Sequence, residues 1–265
     1  MARIGFLGTG EIATAMVETL AGKGHKIFVS ERNVTVSSGL AARFSDVTVA
    51  PNDQVVAQSE VVFLCLLAPV AKAVLPELPF RTDHAIVSVM VDLGHDALLE
   101  LCAPAATASI AIPLPSLPGG QSPLVCYPSS ETLHPLLGDS AKIQVAPTET
   151  ALNAHFAATS LLLPLFTQLR VGADWLAEFT GDKAMAEHYL TALMGSYFQE
   201  FAQNPDLRIE TVQAGLSVAG GLNDTLNRHL AQEGMLTALR TGLDGFRDRL
   251  GLPARALSAS DQPNR

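Results

Sequence analysis

The sequence predicts an α/β domain with a doubly wound sheet, followed by an all-α C-terminal domain. Three observations support this order. Apolar strand-like runs alternate with helical segments up to about residue 147, a glycine-rich turn follows the first strand, and no strand pattern survives after Thr148. We therefore expect domains at residues 1–147 and 148–252, with residues 253–265 as a frayed tail.

The first strand leads directly into a Gly-x-Gly-x-x-Ala turn formed by Gly8, Gly10 and Ala13. In a Rossmann unit the first glycine permits a tight turn, the second lets the backbone approach a pyrophosphate, and the small third residue keeps the helix close to the strand. An ordinary glycine turn is the alternative, but the position on the first strand favours a dinucleotide. The residues expected to contact it are Gly8, Thr9, Gly10, Glu11 and Ile12.

The end of the second strand, Lys26–Ser30, bears on which dinucleotide binds. An acidic residue there would hold a ribose 2′-hydroxyl, whereas an arginine accommodates a 2′-phosphate. Glu31 and Arg32 supply both types, and Ser30 and Asn33 flank them with neutral hydrogen-bonding groups. We predict NADP(H) through Ser30, Arg32 and Asn33, with NAD(H) possible. The alternative is that Glu31 and Arg32 belong to a solvated turn.

Two later runs, Val61–Leu67 and Ala85–Val91, are apolar on both faces, as a parallel strand covered by helices requires. The segment 113–123 contains four prolines and two glycines and predicts a stiff loop. Further strands are expected at Val47–Val49, Ser109–Ile112, Leu124–Tyr127 and Lys142–Val145. Helices are expected at Ile12–Leu20, Ser37–Phe44, Val70–Leu78 and Ala97–Leu101.

After Thr148, which can cap a helix, the pattern is helical throughout. The predicted helices are Glu149–Leu169, Ala173–Phe201 with an interruption near Gly181, Ile209 to about Ala219, and Asn223–Leu250. They are apolar on more than one face, which predicts an interleaved homodimer.

Composition narrows the function classes. The net charge of −9 argues against a nucleic-acid partner, because a phosphate backbone needs a basic face. The three cysteines show no metal-ligand spacing, which predicts no metal and favours buried thiols in a reducing compartment. No signal peptide is recognised, and polar residues interrupt the run Phe156–Leu169, so we expect a cytoplasmic protein without a membrane partner.

The chain resembles the pyrroline-5-carboxylate reductase family of NADPH-linked enzymes, which reduce a cyclic imine acid to proline. The resemblance rests on the opening Ile4–Gly10, on the strand Val61–Leu67 and on the turn Ser217–Asn223 with its following helix. It implies a cofactor-binding Rossmann domain and a helical dimerisation domain. It also implies cofactor contacts at Leu66, Leu67 and Ala68, at the end of the strand Val61–Leu67.

The chain departs from that family in its substrate motifs. Leu222 and Asn223 stand where the family has hydroxyl-bearing residues, and Leu114 stands where it has an asparagine near the nicotinamide. Hydride transfer is still expected, because the cofactor supplies the difficult chemistry. We expect these changes to alter which substrate the site prefers.

The turn at Gly220–Asp224 is the predicted substrate site, facing the nicotinamide. Gly220 and Gly221 offer backbone N–H groups for a carboxylate at a helix start. Asn223, the predicted catalytic residue, would hydrogen-bond the imine nitrogen or the carboxylate, and Asp224 would cap the helix or donate a proton. The alternative reading makes Asn223 and Asp224 helix caps only.

The predicted activity is therefore NAD(P)H-dependent reduction of a small imine acid or a related keto acid. Two alternatives stay open. The chain could be an NADP-binding sensor or accessory protein without that reaction, or it could be a β-hydroxyacid dehydrogenase. The latter class uses a lysine in a glycine-containing helical setting, which is not visible around Lys183.

Overall fold

The computed structural model describes residues 1–254, and the predicted tail from residue 255 onward lies outside that range. The described chain contains an eight-stranded sheet and twelve α-helices. The strands are β1 (Arg3–Leu7), β2 (Lys26–Ser30), β3 (Val47–Ala50), β4 (Val61–Leu64), β5 (Ala85–Ser88), β6 (Thr107–Ile112), β7 (Ser122–Tyr127) and β8 (Ala141–Val145). The helices of the first part are α1 (Glu11–Leu20), α2 (Val34–Arg43), α3 (Asn52–Gln58), α4 (Ala68–Val74), α5 (His95–Leu101) and α6 (His134–Leu137). Those of the second part are α7 (Glu149–Thr159), α8 (Leu162–Thr180), α9 (Lys183–Gln203), α10 (Ile209–Leu216), α11 (Leu222–Gln232) and α12 (Met235–Asp244).

The strand order is β3-β2-β1-β4-β5-β6-β7-β8. Strands β1 to β6 are all parallel, and β1 lies between β2 and β4, so the order reverses direction beside β1. This confirms the predicted doubly wound sheet. Strand β7 runs antiparallel to β6, because the loop joining them holds no crossover helix and a parallel pairing would require one.

Apolar side chains fill both faces of the sheet, as the two-sided patterns of the central strands predict. One core contains Leu7, Leu64 and Ile86, all almost fully buried. The other contains Phe6 and Phe63, whose rings stack with centroids 4.9 Å apart. The sheet thereby holds the loops at its carboxyl edge in fixed positions.

Helices α3 and α6 were not predicted from the sequence, and β4 and β5 are each three residues shorter than predicted. Strand β4 ends at Leu64 and β5 at Ser88, so the residues beyond them form loops over the carboxyl edge. Helix α3 has only seven residues and no side-chain cap, which leaves little helical signal. It packs so closely on β1 that a Cβ at Gly5 would lie 2.5 Å from Ser59 Oγ.

The chain divides into two compact units, residues 1–156 with 250–252, and residues 157–249. The division falls nine residues after the predicted boundary at 147, because the start of α7 belongs to the first unit. Leu152 is fully buried in the first core, and Glu149 Oε1 accepts a hydrogen bond from the His95 amide at 3.0 Å. The Asn153 side chain donates to the Leu250 carbonyl, which ties residues 250–252 to the same unit.

The second unit is helical, as predicted, and two of its breaks fall at glycines. Gly181 (φ +70°) ends α8 near the predicted interruption, and Asp182 caps α9. The single helix predicted over 223–250 is instead α11 and α12, because Gly234 adopts a left-handed conformation (φ +81°) between them. The helix predicted over 149–169 breaks at Ser160 and then continues to Thr180.

Helices α7 and α8 together form a run, Glu149–Thr180, that could cross a membrane by length and composition alone. Little of this run is buried within the chain. The sequence-based expectation considered only the shorter segment 156–169, whereas this run extends from Glu149 to Thr180 and includes the break at Ser160. One such helix is weak evidence for a membrane, since apolar helices of globular proteins pass the same test.

Candidate functional site

The glycine turn after β1 is fixed by contacts that tolerate no side chain at its first position. Gly8 has φ +97°, and a Cβ there would lie 2.2 Å from the carbonyl oxygen of Cys65. The Gly8 amide donates a 2.8 Å hydrogen bond to Ser30 Oγ at the end of β2. The turn therefore bridges β2 and β4 at the point where the strand order reverses, which is where open α/β sheets bind ligands.

The next two residues of the turn leave room and polar groups for a ligand. A Cβ at Gly10 would meet no atom within 4 Å, and Gly10 begins α1 without a capping side chain. The hydroxyl of Thr9 is buried and has no hydrogen-bond partner within residues 1–254. A buried polar atom without a partner is costly, so an oxygen-rich group held against this turn would relieve it.

A cleft of about 320 Å³ opens over this turn. Four of the predicted cofactor residues line it, namely Thr9, Gly10, Glu11 and Asn33. Pro115, from the proline-rich loop, forms another part of the wall, and Leu117 anchors that loop in the core. The remaining lining residues are Thr14, Ala15, Glu18 and Val36.

The segment after β2 contains the residues predicted to choose between the two dinucleotides. Glu31, Arg32 and Asn33 are all exposed, and Asn33 caps α2 by accepting from the Val36 amide. Among the residues that the structure describes, Arg32 makes no ion pair, so its guanidinium is available to an anion. Ser30 is 1% exposed, and its hydroxyl supports Gly8. Its burial does not support the prediction of a direct phosphate contact.

The residues predicted to close the site follow β4. Leu66 is half-buried and would lie 3.3 Å from a Cβ at Gly8, whereas Leu67 is 75% exposed. Ala68 begins α4. Ile12 is half-buried in the first turn of α1. The fold thus gathers all the predicted cofactor residues at one edge of the sheet, while their contacts with a nucleotide stay a prediction.

The predicted substrate turn lies in the second unit, and its glycine amides are already engaged. The Gly220 amide donates to Asp224 Oδ2 at 3.1 Å, and the Gly221 amide donates to the Val218 carbonyl at 2.8 Å. The expectation that both amides are available to a carboxylate is therefore wrong. Asp224, at the third position of α11, accepts from the residue before the cap Gly221, so it stabilises the turn that leads into the helix.

Asn223 does not cap the helix, because Gly221 occupies the cap position and α11 has no side-chain cap. Asn223 is exposed and lines a cavity of about 430 Å³. We call this the α10–α11 cavity, and its lining consists of Gln213, Ala214, Leu216, Ser217, Asn223, Asp224 and Asn227. The catalytic role of Asn223 stays a prediction.

Lys183 is committed to an ion pair with Asp174, with Nζ and Oδ1 2.7 Å apart. Its hydrogen bond to Asp174 raises the pKa of the Lys183 ammonium. A raised pKa makes this lysine a poorer proton donor at neutral pH. No group of three or more His, Cys, Asp or Glu side chains within residues 1–254 could hold a metal ion.

Several residues that shape these sites were not predicted from the sequence. Thr14 and Glu18 line the cleft because they lie one and two turns after Gly10 on the same face of α1, a spacing that could have identified them. Pro115 joins them only through the tertiary position of its loop. The hydrogen bond from Gly220 to Asp224 could have been inferred from the acidic residue at the third helical position.

The N-terminal segment matches a family model described as NADP oxidoreductase, coenzyme F420-dependent, over residues 3–92. No protein with a curated description matches the sequence. The family match covers strands β1 to β5 and every lining residue of the cleft described above except Pro115.

Solved structures match the chain over nearly all of its length. A 1-pyrroline-5-carboxylate reductase from Streptococcus pyogenes has a TM-score of 0.80 at 16% identity, covering 94% of this chain and 98% of the other. The pyrroline carboxylate reductase of Plasmodium falciparum, with NADP bound, has a TM-score of 0.79 at 11% identity, covering 94% and 97%. A reductive aminase from Aspergillus terreus has a TM-score of 0.59 at 18% identity, covering 96% and 88%.

Identities this low establish the fold alone. The match nevertheless includes both units of the chain, as the resemblance predicted from its first and last motifs. The chain therefore has the fold of the pyrroline-5-carboxylate reductases, a Rossmann sheet followed by a helical unit, over nearly its whole length.

Proposed function

We propose that the protein is an NADP(H)-dependent reductase of a small imine, similar in reaction to pyrroline-5-carboxylate reductase. The observation that carries the proposal is the glycine turn at the reversal point of the sheet, with an unpartnered buried Thr9 hydroxyl and open space at Gly10. These features fit the pyrophosphate of a dinucleotide. The family match to NADP oxidoreductases and the NADP-bound structural relative support the choice of cofactor.

In this mechanism the chain chiefly binds and orients its ligands. Gly10 and Thr9 would hold the pyrophosphate at the start of α1, and Arg32 would hold the 2′-phosphate. When bound, the nicotinamide supplies the hydride. Reduction of an already protonated imine needs little acid catalysis, so the protein's contribution is positioning. Asn223 would orient the imine through its side-chain amide.

The decisive experiment follows NADPH oxidation at 340 nm with a panel of substrates. The panel contains pyrroline-5-carboxylate, 1-pyrroline and small keto acids. Reduction of an imine supports the proposal. Binding of NADPH with no turnover of any imine or keto acid would instead support the sensor reading. Reduction of keto acids alone would indicate a hydroxyacid dehydrogenase, which the ion-paired Lys183 disfavours.

Cofactor preference gives a first prediction. Replacing Arg32 with alanine should weaken NADPH binding by about 1–3 kcal/mol, the contribution of a charge-assisted hydrogen bond, and leave NADH affinity nearly unchanged. Titration of nucleotide fluorescence measures both affinities. Arg3→Ala is the matched control, because that arginine is paired with Glu60 and lies at the start of β1, at the opposite edge of the sheet from the glycine turn. Equal affinity of the wild-type protein for the two nucleotides would contradict the assignment.

We also propose that the helical unit pairs with a second copy of this chain. Among the described residues of α8 to α12, only Ala173 and Ala186 are buried. Large apolar side chains are exposed instead, including Leu163 at 75%, Phe166 at 58% and Trp175 at 60%. Helices without large buried side chains gain little stability alone, and continuous apolar surfaces mark interfaces. A negative net charge disfavours an anionic bilayer as the occupant.

Trp175, the sole tryptophan of the chain, reports on this second prediction. At micromolar concentration we expect a light-scattering mass near twice the 28.0 kDa of one chain. Phe166→Glu should weaken association by about tenfold or more and shift Trp175 emission to longer wavelength. Val145→Glu, at an exposed apolar position of the first unit, is the control. A monomeric wild-type protein, or one that floats with liposomes, would contradict the proposal.

The cytoplasmic location is likewise a proposal, and the cysteines support it. Cys65, Cys102 and Cys126 are all free thiols. Burial raises the pKa of Cys65 and of Cys102 to about 12, so neither forms a reactive thiolate at neutral pH. Free, unreactive thiols are typical of proteins from reducing compartments.

A further inference from the structure

The α10–α11 cavity has one ionisable side chain in its lining, and that side chain is acidic. Asp224 stands among Gln213, Ser217, Asn223 and Asn227, whose amides and hydroxyl are neutral. The cavity volume of about 430 Å³ is within the range of small-molecule sites. No lysine, arginine or histidine lines it. Its lining is therefore suited to a neutral or cationic ligand.

Asp224 is held ionised by groups outside the cavity lining. Arg228 NH2 lies 2.7 Å from Asp224 Oδ2, and the Gly220 amide donates to the same oxygen at 3.1 Å. These two hydrogen bonds, the one from Arg228 first, lower the pKa of the Asp224 carboxyl. Within residues 1–254 no group donates a hydrogen bond to the second oxygen, Oδ1. The carboxylate thus keeps one oxygen for a ligand.

A ligand carboxylate, unlike a cation, would need the glycine amides of this turn, and neither is free. The two glycine amides that could bind it are engaged by Asp224 and by the Val218 carbonyl. To reach Gly220, the incoming anion would have to displace the Asp224 carboxylate while approaching its charge. The Asp224 carboxylate repels such an anion, and Arg228, 2.7 Å from Oδ2, offsets part of that charge. The turn thus offers an anion no free glycine amide at the place where the sequence suggested one.

We infer that the α10–α11 cavity binds its ligand through a cationic nitrogen at Asp224 Oδ1 and discriminates against a carboxylate. Gln213, Ser217 and Asn223 would complete the site with neutral hydrogen-bonding groups. This inference rests on the proposed function and makes it more specific. The substrate class is a protonated small imine without a carboxylate. Hydride addition gives the neutral amine, which then takes a proton from water to become the ammonium. Asp224 is then a specificity-determining residue.

Binding of simple probes tests the inference without relying on turnover. Pyrrolidine is the cationic probe and cyclopentanecarboxylate the anionic one, each titrated at pH 7 and followed by protein NMR shifts. We expect pyrrolidine to bind more tightly than cyclopentanecarboxylate. Asp224→Asn removes the charge and keeps an oxygen for Gly220, and it should weaken pyrrolidine binding by about tenfold. Arg228→Gln should leave pyrrolidine binding equal or tighter.

Asp244→Asn is the control, because Asp244 also pairs with an arginine at i,i+4 spacing, Arg240, as well as with Arg247, and does not line the cavity. It should change neither affinity. The inference is wrong if the anionic probe binds more tightly and Arg228→Gln abolishes that binding. It is equally wrong if a folded Asp224→Asn protein binds pyrrolidine as the wild type does, or if the wild type binds neither probe.

Turnover separates this inference from the proposed function. If NADPH reduces 1-pyrroline more efficiently than pyrroline-5-carboxylate, both stand. If pyrroline-5-carboxylate is the better substrate, the function stands and the inference fails. If the probes bind as expected and no imine is reduced, the cavity selects cations as inferred and the reductase proposal fails.

Discussion

Replacing Gly10 with valine should abolish nucleotide binding and leave the fold intact. A Cβ at Gly10 would meet no protein atom within 4 Å, so the substitution creates no clash inside the chain. A branched side chain would instead occupy the space over the start of α1, where the pyrophosphate is proposed to lie. We expect NADPH affinity to fall on the order of 100-fold, about 2.7 kcal/mol.

Fluorescence titration gives the affinity, and circular dichroism on the same sample gives the thermal midpoint. Gly39→Val, at a position of α2 that is also open within 4 Å, is the matched control and should keep its nucleotide affinity. A folded Gly10→Val protein with wild-type affinity would place the nucleotide elsewhere and remove the main support for the proposed function.

Local sequence patterns were sufficient to predict the sheet and its glycine turn. The β1 strand, Gly8 and the start of α1 follow one another within a dozen residues, so their geometry depends on the chain's own order. The two-sided apolar run at β4 likewise required only a parallel strand with helices on both sides. Helix α3 was not predicted, because it has only seven residues. Its two buried residues, Val55 and Val56, are adjacent and show no helical period of apolar residues.

Hydrogen-bond partners were harder to predict because they depend on tertiary contacts. Ser30 was expected to face a phosphate, but its hydroxyl meets the Gly8 amide, 22 residues away in the sequence. Gly220 was expected to offer a free amide, but the Asp224 carboxylate four residues later occupies it. At Ser30 and at Gly220 the sequence identified polar groups that form hydrogen bonds. Their partners could not be identified, because the fold determines which polar groups come together.

The unit boundary illustrates the same limit. The change from strands to helices occurs at Thr148, but packing determines where a compact unit ends. Leu152 belongs to the core of the sheet, and Glu149 caps α5, so the first turns of a helix continue the first unit. A change in secondary structure is therefore a poor guide to a change in packing.

Replacing Gly8 with alanine should strongly destabilise the first unit, although it adds only one methyl group. The new Cβ would lie 2.2 Å from the Cys65 carbonyl oxygen, which is backbone and cannot move aside as a flexible side chain could. The residue also has φ +97°, where an L side chain is strained. Together these effects should cost about 3 kcal/mol of unfolding free energy and weaken NADPH binding by displacing the turn.

Gly22→Ala separates the two causes. Gly22 has a similar backbone conformation, φ +75°, but a Cβ there meets nothing within 4 Å. Its substitution should cost about 1 kcal/mol from backbone strain alone. Urea unfolding of the two variants and the wild type measures the difference. If Gly8→Ala is no less stable than Gly22→Ala, the close approach of β1 and β4 at this turn is not what holds the candidate site in place.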